Sequence, residues 1–154
     1  MWTYEQRQRL ALEHQVLQRE GFDQFSVYHH PSDDSYSASG YASSSSGRRY
    51  HLFAPIPSRY PFERPPLYVT EPSPLRMFDG TVVSSLGVSH AMHTLTPHAA
   101  GWPQICHWRD ARWHSNILLH KVFLKAHIWL EAYEQHLATG RSLADFVPTM
   151  AEAV

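Results

Sequence analysis

The chain of 154 residues has a single cysteine, Cys106, so no disulfide can form within it and no paired Cys-x-x-Cys motif is present. A reducing compartment is the simplest expectation. Lysine is almost as scarce: of 13 basic residues, only Lys121 and Lys125 are lysines. Neither sign of charge dominates. With 14 acidic residues the formal net charge is −1, which argues against a nucleic-acid partner held by broad phosphate neutralisation. No apolar run approaches the roughly 18 residues of a membrane span. The opening Met1-Trp2-Thr3-Tyr4-Glu5-Gln6-Arg7 is polar and has no signal-peptide core. The expectation is a cytoplasmic protein with no membrane partner. No internal repeat is visible.

What is present is a globular composition, 43% hydrophobic and 18% charged. The length suits one domain over 1–154. Residues 3–20 read as a helix: Thr3 and Gln6 fit a capping box, Leu10, Leu12, Val16 and Leu17 form an apolar stripe, and Gly21 is a natural terminator. Short strands are predicted over 24–30, 50–56 and 67–70, with turn chemistry at Pro31-Ser32-Asp33-Asp34. Residues 35–45 are rich in Ser, Tyr and Ala, and Ser43 to Gly47 reads as a loop. Three or four early strands joined by short turns imply an antiparallel meander. Residues 71–105 show no clear element, and so long a stretch is usually functional or mobile. A long helix follows, capped by Ser115 or Asn116 and ended by Gly140. Its apolar face is Leu119, Val122, Ala126, Trp129, Leu130, Tyr133 and Leu137. Ser142 can cap a last short helix before Pro148. The fold class is therefore α+β.

Cys106 sits between the irregular segment and the long helix. It can be a small buried hydrophobe, as free cysteines often are, or a reactive thiol in a loop. His93, His98, His107 and His114 are close in sequence, and an imidazolium nearby would favour the thiolate. His90 and His93, three apart, with Cys106 or His107 as a third ligand, would suggest zinc, but a closed structural site needs four ligands. A papain-like Cys/His hydrolase needs a base oriented by a third polar group, and nothing local supplies one. The expectation is no metal and no cofactor. His120, His127 and His136 on the long helix read as surface or satisfied core residues.

Read from Tyr50 to Leu124, the chain resembles the ubiquitin-conjugating enzyme family. Tyr50-His51-Leu52-Phe53-Ala54-Pro55-Ile56 followed by Pro57-Ser58-Arg59-Tyr60-Pro61-Phe62-Glu63-Arg64-Pro65-Pro66 is similar to that family's third strand and YPFxxPP turn. Ile105-Cys106 is similar to the dipeptide around the catalytic cysteine. Trp113 with Ile117 to Leu124 is similar to the tryptophan and helix that follow it. The family's His-Pro-Asn tripeptide is replaced: eight residues before Cys106 this chain has Thr96-Pro97-His98. The segment from Pro66 to Thr96 is longer than usual, and Trp129 to Gly140 looks like bacterial relatives, which occur in antiphage systems.

The resemblance implies a fold with an N-terminal helix, a four-stranded antiparallel meander, an active-site cysteine loop, a long central helix and a short C-terminal helix. It implies that Cys106 accepts the C-terminus of a ubiquitin-like protein, or a cyclic-nucleotide synthase of the CBASS type, from an activating enzyme. The acyl group then passes to a lysine of a target protein. His98 would either stand in for the tripeptide's asparagine as oxyanion donor, with His93, His107 and Asn116 next in line, or only hold the loop through a backbone hydrogen bond. Tyr60, Pro61, Phe62 and Pro66 would be structural, with Phe62 in the core. A non-catalytic docking module of the same fold is the alternative.

Overall fold

Residues 1–148 are described in the computed structural model; 149–154, the end of the expected 1–154 domain, lie outside the described residues. Helix α1 spans Tyr4–Arg19. It starts at Thr3 because the capping box closes: Gln6 N donates to Thr3 Oγ1 at 3.1 Å and Thr3 N donates to Gln6 Oε1 at 2.9 Å. The Gln6 amide also donates from Nε2 to Ser58 O (2.8 Å) and Tyr60 O (2.9 Å), tying the helix start to a distant turn. Gly21, at φ 82°, ends the helix, with Phe22 N donating back to Leu17 O. The buried face is Leu10, Glu13, Val16 and Leu17. Leu12, expected in the stripe, is 47% exposed. Helical periodicity puts position 13, three after Leu10 and four before Leu17, on the buried side instead.

Strands β1 (Phe25–His30), β2 (Ser35–Ser43), β3 (Arg49–Ile56) and β4 (Tyr68–Glu71) form the antiparallel meander expected from the sequence. In β3, Tyr50, Leu52, Ala54 and Ile56 point into the core while Arg49, His51, Phe53 and Pro55 point away. β2 carries few strand-favouring side chains. Its small residues suit close packing: Ala38 and Ala42 are fully buried, and a Cβ on Gly40 would lie 2.2 Å from Gln24 O. Two short strands, β5 (Thr94–Leu95) and β6 (Gln104–Ile105), extend the sheet in the order β1-β2-β3-β4-β6-β5. They lie in the segment that the sequence leaves irregular. The rest of that segment is pinned as well: Val83 N donates to Leu75 O (2.8 Å), Tyr133 Oη donates to Arg76 O, and Trp129 Nε1 donates to Met92 O (2.9 Å).

Helix α2 (Leu119–Thr139) covers the inner face of the sheet, with Phe123 stacked on Phe25 at 4.0 Å and Trp129 stacked on Tyr133 at 5.3 Å. Gly140, left-handed at φ 73°, stops it as predicted. Its start is three residues later than a Ser115 cap would give and two later than an Asn116 cap would. Leu118 occupies the cap position and has no polar side chain to offer. The cap comes instead from α1, where the buried Glu13 carboxylate accepts from Leu119 N at 2.8 Å. The same oxygen accepts from Tyr60 Oη. Helix α3 (Leu143–Phe146) is short, as expected.

Phe62 is not in the core. It is 75% exposed, while Tyr60 is fully buried. Two tight turns, Tyr60 N to Pro57 O and Phe62 N to Arg59 O, both 2.9 Å, swing the intervening residues. Tyr60 takes the inward position because its hydroxyl meets Glu13, which leaves Phe62 facing out. No helix among the described residues is long and apolar enough to cross a membrane.

Candidate active site

β6 ends at Ile105, and Cys106 is the next residue. Cys106 N donates to His93 O at 2.9 Å, continuing the ladder one rung beyond the Thr94–Ile105 pair. On the other flank Ile105 N donates to Leu67 O (2.8 Å) and His107 Nε2 donates to Pro65 O (2.7 Å). The cysteine is thus held by its neighbours on both sides, at the point where regular sheet stops. It is half-buried. Burial pushes its thiol above the ordinary range, and Arg64, Arg109 and Lys125 pull it back down, with Asp110 opposing them.

The imidazolium expected beside the thiol is absent from this position. His107 is fully buried, and desolvation drives its pKa down to about 3, so the ring is neutral. Nε2 carries the proton because it donates to a carbonyl, and Nδ1 is buried without a hydrogen-bond partner. A ring so hard to protonate is a poor general base, which counts against the hydrolase reading. The cations that favour the thiolate are longer side chains. Lys125, on α2, is 1% exposed, with Nζ 3.6 Å from the centre of the Trp108 ring. Burial lowers its pKa to about 8, although Cys106 works in the opposite direction. Arg64 donates from Nε to Asp110 Oδ1 at 2.9 Å, while its Nη1 is buried with no hydrogen-bond partner.

The wall behind the thiol is aromatic. The rings of His107, Trp108 and Trp113 meet edge to face at 6.0–6.4 Å, and Trp113 Nε1 donates to Pro61 O at 2.9 Å. A groove of about 450 Å³ runs between Arg64, Asp110, Trp113, Gln104 and Pro66. Gln104, two residues before Cys106, is the lining residue nearest to it along the chain.

His98 lies at the far end of the β5–β6 hairpin. Its backbone pairs with Trp102, four residues before Cys106, and its ring stacks on Trp102 at 4.5 Å and meets Tyr68 at 5.2 Å. Its Nδ1 accepts from Ala100 N at 2.9 Å, which shapes the hairpin tip. The offset counted along the sequence therefore does not follow the ladder. The residue opposite Cys106 is His93, because the hairpin loop takes up the residues between. His93 is 5% exposed and left-handed at φ 50°, and its Nε2 donates to Val147 O. Its pKa is pushed down, chiefly by burial. His90 meets His93 ring to ring at 5.3 Å, but among the described residues no three His, Cys, Asp or Glu side chains gather so as to hold a metal. Asn116 is exposed.

Sequence reasoning passed over Arg64 and Lys125. The signal for Lys125 was present: it falls three residues after Val122 and four before Trp129, inside the apolar stripe. No family model, no curated protein and no solved structure matches the chain.

Proposed function

We propose that the chain is an acyl carrier of the ubiquitin-conjugating type. Cys106 takes the C-terminus of a ubiquitin-like protein from an activating enzyme and passes it to a lysine amine of a target protein. The observation that carries this reading is the seat of Cys106. The chain's lone thiol is half-buried and fixed by backbone bonds on both flanks at the end of the last-entered strand, with cations within electrostatic reach. The order of helix, meander, proline-rich turn, cysteine, tryptophan and long helix supports it further. The resemblance to bacterial relatives extends the proposal to antiphage defence, with a CBASS cyclic-nucleotide synthase as another possible acyl donor.

Two exchanges are required. In the first, Cys106 Sγ attacks the thioester carbonyl carried by the activating enzyme, a new C–S bond forms, and the enzyme's thiol leaves with the proton. In the second, a neutral amine attacks the new thioester, a C–N bond forms, the C–S bond to Cys106 breaks, and the departing Sγ takes up the proton that the amine loses. The oxyanion formed at each step needs a donor; His93 pairs with Cys106 through the backbone, but its Nε2–H is committed to Val147 O.

A docking module that never forms a thioester is the competing reading, favoured by the burial that raises the Cys106 thiol. Incubation with the activating enzyme, ATP and the ubiquitin-like protein separates the two. The carrier reading expects an adduct that thiols release and that Cys106→Ala abolishes. An adduct that survives in Cys106→Ala contradicts it.

A further inference from the structure

The chain around the thiol is bonded as a strand would be, past the point where the sheet can continue. β4 and β6 pair antiparallel with Tyr68 opposite Gln104, and the flanking rungs are Val69 N to Pro103 O (3.1 Å) and Ile105 N to Leu67 O (2.8 Å). Two residues further along, the same register sets His107 opposite Pro65. A backbone rung there cannot be complete, because Pro65, like Pro66 after it, has no N–H. The Pro65 carbonyl accepts from the His107 side chain, with Nε2 2.7 Å away. Donors thus leave the cysteine segment on alternate sides, as they do along a strand. Ile105 N points to the chain that carries Leu67, Cys106 N to His93 O on the β5 side, and His107 Nε2 back to Pro65 O. The ring itself is fully buried against Trp108 and Trp113, where an apolar side chain would also pack, and its Nδ1 has no hydrogen-bond partner. Burying that nitrogen carries a desolvation cost that methionine or leucine would not. What the imidazole adds is an N–H at the reach of Pro65 O.

We infer that His107 is a positioning residue for acyl transfer: its Nε2–H supplies the rung that keeps Cys106 extended beyond β6, and so aims the thiol at the carbonyl it attacks. The inference rests on the carrier reading and assigns that reaction a further residue. The role needs no proton transfer by the ring. Desolvation drives the His107 pKa down to about 3, so the imidazole stays neutral and the rung does not vary with pH near neutrality.

The test uses the full chain and a short synthetic peptide thioester, with acylation of Cys106 read by intact mass and alkylation by iodoacetamide as the reference. In the acylation the peptide's C–S bond breaks, a C–S bond to Cys106 forms, and the small thiol released takes the Cys106 proton. Attack on a thioester carbonyl demands a defined approach, whereas a small alkylating reagent meets an accessible thiol from several directions. The ratio of the two rates therefore reads the aim of the thiol and cancels changes in its reactivity. His107→Met keeps the volume and removes the donor, and the ratio should fall about tenfold, short of the ~10² that a displacement of ~1 Å costs. His107→Gln carries an amide at the reach of Nε2 and should hold the ratio within about threefold of the parent. The amide of His107→Asn stops where Nδ1 stands, cannot meet Pro65 O, and should lower the ratio as methionine does, which keeps the comparison decisive if the Met variant does not fold. The parent ratio should be constant between about pH 6 and 8. An inflection there that His107→Gln abolishes would make the ring a proton carrier and overturn the inference. Equal ratios in the parent, Gln and Asn variants, or a Gln variant as low as Asn, also overturn it and leave the carrier reading standing. A parent thiol that iodoacetamide alkylates but the thioester does not acylate overturns both.

Discussion

Glu13 is buried between α1, Tyr60 and the first turn of α2, and replacing it tests whether one carboxyl organises the frame behind Cys106. Its Oε2 accepts from Tyr60 Oη and from Leu119 N, while Arg9 Nε stands 3.5 Å from Oε1 without a hydrogen bond. Glu13→Ala leaves a buried hydroxyl and a buried helix N–H unpaired, at ~1–3 kcal/mol each. Relief of the buried carboxyl offsets part of that, so the expected net loss is about 2–4 kcal/mol. Glu13→Gln keeps a carbonyl oxygen for both donors and should stay within ~1 kcal/mol of the parent. The pH dependence has a definite sign. Burial raises the Glu13 pKa above the ordinary 4.5, against the pull of Tyr60, Leu119 and Arg9. A raised carboxyl favours folding fully below the unfolded value and loses that contribution as pH climbs through the folded value. Glutamine cannot ionise, so Glu13→Gln should gain on the parent as pH rises from about 4.5 towards 8. Urea unfolding followed by tryptophan fluorescence, with unchanged m-values, measures both effects. A Glu13→Ala variant as stable as the parent, or a parent-to-Gln difference that does not move with pH, would refute the reasoning.

Phe62→Ala should cost less than ~1 kcal/mol because the ring is exposed, whereas Tyr60→Ala should cost ~3–5 kcal/mol; thermal melts that rank them the other way would reverse the inward and outward assignment. Lys125→Met removes one of the cations that lower the Cys106 thiol, so iodoacetamide should alkylate Cys106 more slowly near pH 7–8 and the rate profile should move to higher pH; an unmoved profile would show that Lys125 does not act on the thiol. In discharge of a preformed thioester to free lysine, His98→Ala should run at the parent rate, because its ring stacks on Trp102 and its Nδ1 accepts from Ala100 N. A slowing of ~10², the scale of one oxyanion donor, would return the role to His98.

Local chemistry made much of the frame legible. Thr3, Gln6 and Gly21 bound α1 through backbone bonding that any sequence with those residues would make. The alternation in Tyr50 to Ile56 marks β3, and Gly140 stops α2. What was hidden depends on contacts between distant residues. Glu13 caps a helix 106 residues away, so no window around Leu119 reveals the cap. β2 is held by neighbours on both sides and by the room that Gly40 leaves, and its Ser- and Ala-rich composition reads as loop. β5 and β6 are two residues each, below the length at which alternation can be seen. At the site, Cys106 stood out by being alone. Its charged surroundings did not, because Arg64 and Lys125 reach it from segments 42 and 19 residues away in sequence. Counting back from Cys106 pointed to His98, and only the pairing of the hairpin shows that His93 is the backbone partner of Cys106.

The central claim is that Cys106 carries an acyl group as a thioester. The most direct measurement is intact mass of the chain after incubation with activating enzyme, ATP and the ubiquitin-like protein, with and without added thiol. The account predicts a single adduct on Cys106 that thiol removes, none on Cys106→Ala, and on Cys106→Ser a slower adduct that resists thiol because it is an oxyester. An adduct at another residue, or none on a parent chain whose activating enzyme is visibly charged, would contradict it.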